Sequence, residues 1–291
     1  VLAQQNPGGP TAADLLAGLS HAERWVTYSG DYTGQRHSPL TAITPANVHQ
    51  LGARWTFQTG TMTRGRGFEA TPLAWDGVLY VTGSNNFAWA LDGRTGRPFW
   101  QYRRELPANL TYGASAPVNR GFAILGDRLF MVTLDAHLLA LDMKTGAIVW
   151  DATLADYTQG YAATLAPVVV KDKVIVCVAG GEYGIRGFID AYSADTGKQA
   201  WRFYTIPGPG EPGHDTWKGD AWKYGSASVW VTGSYDPDLN LTYWGVGNPG
   251  PDWNPDQRPG DNLYSDSVVA LDADTGQLKW HFQFTPNDGY D

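Results

Sequence analysis

The pattern A-[LY]-[DS]-x-x-T-G-x-x-x-W occurs four times, at Ala90–Trp100, Ala140–Trp150, Ala191–Trp201 and Ala270–Trp280, and this repetition restricts the fold more than any other feature. The copies start 50, 51 and 79 residues apart, so the unit is about 50 residues. The excess in the last interval falls in Ile206–Gly225, a stretch rich in Gly, Pro and Trp that reads as one long inserted loop. Each unit carries a β-type run ahead of its signature: Gly77–Thr82, Asp127–Thr133, Lys173–Val178 and Leu241–Val246. Strand follows strand without long helical segments. Within the signature, the Asp (Ser193 in the third copy) can cap the turn through its side chain. The Gly common to all four can take the left-handed conformation of a three-residue hairpin loop, and the Trp opens the next strand.

A four-stranded sheet of this length cannot bury both faces alone, so the chain is expected to be all-β, its units stacked radially as four-stranded antiparallel blades of a β-propeller. Trp100, Trp150, Trp201 and Trp280 are then inter-blade packing residues. The alternative is a stacked β-solenoid, whose repeats are usually shorter, about 20 to 30 residues. Residues 1–25 read as an N-terminal arm with a short helix capped by Thr11, and residues 26–291 as the blades. Thr44-Pro-Ala-Asn47 offers a second helix start, with Pro45 at its first position. Four signatures do not close a large ring, so the sequence reads as part of something larger.

Composition narrows the function classes. With 43% hydrophobic and 17% charged residues, 35 Gly and 18 Pro, the chain is a folded, core-burying one. No apolar run approaches the ~18 residues of a membrane-spanning helix. A net charge of −8 with no run of Lys and Arg argues against a nucleic-acid partner. Cys177 is the only cysteine, so no intrachain disulfide, C-x-x-C metal clip or C-x-x-C-H haem attachment can be built, and the thiol reads as a small buried hydrophobe. A start at Val1 rather than Met fits either a mature product after signal removal or a cloned piece.

Several familiar chemistries lack support. Gly208-x-Gly210-x-x-Gly213 contains Pro209 and Pro212 and precedes no helix pattern, which excludes a dinucleotide fingerprint. The histidines show no paired zinc spacing, and Gly113-Ala-Ser-Ala-Pro117 lacks the second Gly of a nucleophile elbow. What remains are oxygen donors in or near glycine-rich places: Glu182, Asn248, Asp288 and Asp291. Oxygen-only donors suit a hard cation such as Ca²⁺. Each also has an ordinary reading as a turn or solvated residue.

A longer set of motifs covers nearly the whole chain. It comprises Trp25-Val-Thr-Tyr-Ser-Gly-Asp-Tyr-Thr-Gly-Gln-Arg-His-Ser-Pro-Leu40, Val118-Asn-Arg-Gly121, Gly180-Gly-Glu-Tyr-Gly-Ile-Arg-Gly187 and Gly233-Ser-Tyr-Asp-Pro237. It continues through Tyr243-Trp-Gly-Val-Gly-Asn-Pro-Gly-Pro-Asp-Trp-Asn254 and Arg258-Pro-Gly-Asp-Asn262 to Thr285-Pro-Asn-Asp288. In these residues the chain resembles the N-terminal half of the pyrroloquinoline-quinone (PQQ)-dependent alcohol dehydrogenases, the quinoprotein methanol and ethanol dehydrogenases, eight-bladed propellers of the bacterial periplasm.

The resemblance implies a site residue by residue. Glu182 and Asn248 stand where the family ligates Ca²⁺ or a lanthanide ion, and Asp291, by the T-P-x-D-x-x-D spacing, where it places a metal-bound catalytic aspartate. Trp230 stands at the indole on which the quinone lies. Glu69 and Arg120 stand at groups binding the quinone rim, Thr164 and Ser228 at hydroxyl contacts, and Ala179, Gly180 and Gly181 at the segment whose backbone approaches the cofactor. An aromatic floor and a guanidinium facing carboxylates are what a flat anionic quinone requires.

The implied activity is oxidation of a primary or secondary alcohol to an aldehyde or ketone, with the metal-activated quinone accepting hydride and Asp291 as general base. A periplasmic acceptor such as a cytochrome c would reoxidise the quinone, and a second polypeptide or C-terminal half would complete the ring. Two further readings stand beside it: a non-catalytic propeller scaffold like the outer-membrane assembly lipoproteins, and an inactive half needing a second chain. Many family members carry adjacent cysteines just before Val-Asn-Arg-Gly, forming a disulfide over the quinone, whereas this chain has Ala114-Ser115. The aspartate that marks lanthanide enzymes would fall just past Asp291.

Overall fold

In a computed structural model, which describes residues 8–61, 67–111 and 113–290, the strands form four-stranded antiparallel sheets in sequence order. The first is β1 (Leu73–Trp75), β2 (Val78–Gly83), β3 (Phe87–Asp92) and β4 (Pro98–Arg103); the second is β5 (Ala123–Leu125), β6 (Arg128–Val132), β7 (His137–Asp142) and β8 (Ile148–Thr153). The third is β9 (Val168–Val170), β10 (Lys173–Cys177), β11 (Phe188–Ser193) and β12 (Gln199–Tyr204); the fourth is β13 (Ser234–Asp236), β14 (Leu241–Val246), β15 (Ser267–Asp272) and β16 (Leu278–Gln283). These are the expected propeller blades, four among the described residues.

Burial follows from stacking blades face to face. The middle strands of the second and third blades meet a neighbouring blade on both faces, so Leu138, Leu139, Ala140 and Leu141 of β7 are all fully buried. The outermost strand has one covered face; along β8, Trp150 turns inward while Val149 is exposed. Cys177 ends β10 in full burial, the small hydrophobe expected, with desolvation holding its thiol well above the usual range.

The signature explains how blades join. In three copies Asp92, Asp142 and Asp272 accept backbone N–H groups two and three residues on, and Ser193 does so for Thr196. Gly96, Gly146, Gly197 and Gly276 are all left-handed, with φ of 71, 72, 69 and 72°. Each of the last three receives the indole of the preceding blade. Trp100 Nε1 donates to the Met143 carbonyl at 3.0 Å, Trp150 to Ala194 at 3.2 Å and Trp201 to Ala273 at 3.2 Å. The turn itself is longer than expected: the Asp92 N–H bonds the Arg97 carbonyl, so the loop is residues 93–96. A β-bulge after Ala90, Ala140, Ala191 and Ala270 absorbs the added residue.

Trp55 makes the same contact one step earlier, its Nε1 donating to the Gly93 carbonyl at 3.2 Å beside Gly96. It stands where the outer-strand tryptophan of a preceding blade would dock. At the other end Trp280 is 44% exposed.

The arm helix is real but brief, α1 (Ala12–Ala17), and a reciprocal Thr11–Asp14 capping box closes its start. It lies on the blade edges, with Leu15 buried in the core and Trp25 bridged to Ala74. The second helix expected from Pro45 is only a turn leading into the 3₁₀ segment Val48–Gln50. The insertion is a loop as expected, with two 3₁₀ turns, His214–Thr216 and Ala221–Lys223, pinned by buried Trp217.

Candidate functional site

Two kinds of connection converge at one end of the blades. The segments leading into β1, β5, β9 and β13 carry Glu69, Arg120, Thr164 and Trp230, and the loops after β10 and β14 carry Glu182 and Asn248. Backbone hydrogen bonds stitch them together: Thr71 N–H to Arg120 O and Arg120 N–H to Thr164 O, each 2.9 Å, then Gly247 N–H to Ser228 O at 2.9 Å. Together they line a cavity of about 530 Å³. Every expected site residue except Asp291 is in this lining: Glu69, Arg120, Thr164, Ala179, Gly180, Gly181, Glu182, Ser228, Trp230 and Asn248. Asp291 lies outside the described residues.

The centre of the arrangement is Arg120. Its Nη2 is 2.7 Å from Glu69 Oε2, its Nη1 donates to Thr164 Oγ1 at 2.7 Å, and its Cζ lies 5.0 Å from the Trp230 ring centroid. Trp230 is 47% exposed, so it is a wall of the cavity and not a core residue. Glycine is required at position 180 of the lining. Gly180 has φ of 107°, and a Cβ there would lie 2.1 Å from the Gly160 carbonyl oxygen. Gly181 begins the 3₁₀ turn Gly181–Tyr183 that presents Glu182.

The donor chemistry fits a hard cation beside a flat polar ligand: the Glu182 carboxylate and the Asn248 amide, with no sulfur and no imidazole among the described lining residues. Among the described residues no group of three His, Cys, Asp or Glu side chains is placed to hold an ion. Asp288, a further candidate from the sequence, caps the Tyr290 amide through Oδ1 at 3.1 Å.

Other residues of the site stand outside the set to which the sequence points. Asp252 and Asp266 also line the cavity, and Asn248 Nδ2 donates to Asp252 Oδ1 at 2.8 Å. Arg258 is fully buried and donates to the carbonyls of Pro251, Asp252 and Asp288 and to Asn262 Oδ1, tying the Asn248 loop to the C-terminal segment. Its motif was visible, but a role in packing one loop against another leaves no periodic signal. Ala114 and Ser115 do border the cavity, and the Tyr183 hydroxyl donates to the Ala114 carbonyl at 3.2 Å.

The family described as "PQQ: Glucose/ethanol/alcohol dehydrogenase, beta-propeller domain" matches residues 25–291. The chain belongs to this family. It is 42% identical to the quinoprotein alcohol dehydrogenase PedH of Pseudomonas putida over 96% of its own length and 52% of that protein's. It is 44% identical to the quinohemoprotein alcohol dehydrogenase ADH IIB of Pseudomonas putida, covering 97% of this chain and 44% of the relative. Among solved structures, a europium-containing methanol dehydrogenase superposes with a TM-score of 0.88 at 37% identity, covering 96% of this chain and 52% of that one. The chain thus spans about half the length of the relatives it matches, and its blades belong to the family's β-propeller domain. No helix among the described residues is long and apolar enough to cross a membrane.

Proposed function

We propose that this chain is the cofactor-holding half of a PQQ-dependent alcohol dehydrogenase, oxidising a primary or secondary alcohol to an aldehyde or ketone. The observation that carries the reading is Arg120, held between Glu69 and Thr164 over the half-exposed Trp230, at a cavity shared with Glu182 and Asn248. When bound, the quinone supplies a hydride acceptor and the ion a Lewis acid for its carbonyl.

The chain's own residues do the rest. Trp230 offers a planar floor, and the Arg120 guanidinium meets an anionic rim. Gly180 and Gly181 allow close backbone approach. Glu182 and Asn248 would hold Ca²⁺ or a lanthanide ion together with Asp291, and the Asp291 carboxylate would take the hydroxyl proton of the alcohol. The remaining blades come from a C-terminal continuation or a second polypeptide, in line with the half-length coverage of the relatives. Electrons leave to an acceptor such as a cytochrome c. The bacterial origin of the relatives supports a periplasmic setting.

The test is Asp291→Asn in the full-length, quinone-loaded protein. Quinone binding is expected to survive while dye-linked ethanol oxidation falls by about 10²–10⁴-fold. Full activity in the variant would remove Asp291 as the base.

A further inference from the structure

An asparagine is an ambiguous metal ligand. Its amide carries an oxygen that can meet a hard cation and a nitrogen that cannot, and a half-turn about the last side-chain bond exchanges them. The main chain of Asn248 is fixed, because its carbonyl accepts the Ala227 N–H at 3.1 Å. That half-turn is therefore the freedom that matters at this position.

The neighbour that settles it is Asp252. Its Oδ1 lies 2.8 Å from the Asn248 amide, and a carboxylate only accepts hydrogen bonds, so the atom facing it must be Nδ2. Oδ1 is left as the atom that can meet an ion. Asp252 is itself anchored: its carbonyl accepts from Arg258 Nη2 at 3.2 Å, and Arg258 is fully buried. A chain of restraint thus runs from the core through Arg258 and Asp252 to the amide.

We propose that Asp252 is a positioning residue for the metal site, fixing the Asn248 amide with its oxygen available to the ion. The assignment rests on the reading of Glu182 and Asn248 as ligands. Outer contacts of this kind typically change metal affinity by roughly 10–100-fold. Asp252 also brings a negative charge near the cation, and its removal weakens binding by an amount that does not depend on amide orientation.

A double-mutant cycle separates the two effects, because Asn248→Asp places an oxygen on both sides of the group and leaves nothing to orient. Ca²⁺ alone, and separately La³⁺ alone, are titrated calorimetrically into chelator-stripped full-length protein carrying no substitution, Asp252→Ala, Asn248→Asp, or both. Melting temperatures in chelator read folding apart from binding. Asp252→Ala, which removes the acceptor as well as the charge, is expected to lower affinity at least about tenfold more with Asn248 in place than in the Asn248→Asp background. An equal loss in both backgrounds makes Asp252 a ligand or a plain charge and overturns the positioning role. No loss overturns it as well. Failure of the unsubstituted protein to bind either ion overturns the metal-site reading itself, and this assignment with it.

Discussion

The indole of Trp150 lies against the backbone of Gly197, whose φ of 69° carries the turn beneath it, and Nε1 donates to the Ala194 carbonyl at 3.2 Å. A methyl group on Gly197 would sit 2.8 Å from the ring atoms. Gly197→Ala therefore combines left-handed strain, about 1–2 kcal/mol, with overpacking of about 1–3 kcal/mol. Gly219 is also left-handed, at 58°, but open space surrounds its would-be methyl, so Gly219→Ala is expected to incur only the first cost. Denaturant midpoints of the two variants check the difference, and equal losses would mean the indole contact contributes nothing.

Arg120 joins two connections at the cavity, and its Thr164 partner is 2% exposed. Arg120→Gln removes a charged hydrogen-bonding group of about 1.5–3 kcal/mol, so quinone affinity is expected to fall roughly 10–100-fold. Quenching of tryptophan fluorescence on adding PQQ to the full-length protein gives the affinity directly.

Trp230 separates binding from folding, because it is half exposed. Trp230→Ala is expected to cost at least about tenfold in quinone affinity, with the melting temperature close to the parent's. Trp230→Phe keeps a flat ring and retains most of the affinity. A large stability loss in either variant would indicate a packing residue instead.

Asp274 in the fourth blade and Lys171 in the third form a contact 2.8 Å long. The Lys171 hydrogen bond, foremost among several, holds the Asp274 carboxyl below its ordinary value near 3.8. The contribution to stability is therefore present above that value and fades as pH falls through the depressed one. Both groups are about half exposed, so Asp274→Asn is expected to cost only roughly 0.2–1 kcal/mol near neutrality. The gap between variant and parent closes in the acid range, which melting curves against pH will show.

The fold was legible because a propeller repeats its own packing rule. The Trp-on-Gly contact recurs at a fixed offset, so four copies announced four blades. Trp55 obeys the same rule without the sequence signature, since no Ala-x-Asp-x-x-Thr-Gly precedes it and only the docked indole betrays it. The cavity residues were found through resemblance, residue by residue; oxygen donors in glycine-rich loops taken alone fit an ion and fit ordinary turns equally well. Asp252 and Arg258 were beyond reach for a different reason. Their roles depend on how the 248–262 loop folds back on itself and on residue 288, and such contacts leave no spacing to read.

The central claim is that the cavity around Arg120, Trp230, Glu182 and Asn248 holds PQQ together with a metal ion. An absorbance titration of the full-length protein with PQQ and Ca²⁺, repeated in chelator, tests it most directly. Saturable one-to-one binding that the chelator abolishes, accompanied by dye-linked oxidation of ethanol, is the predicted result. Failure to bind the quinone, or binding indifferent to the chelator, would contradict the shared site.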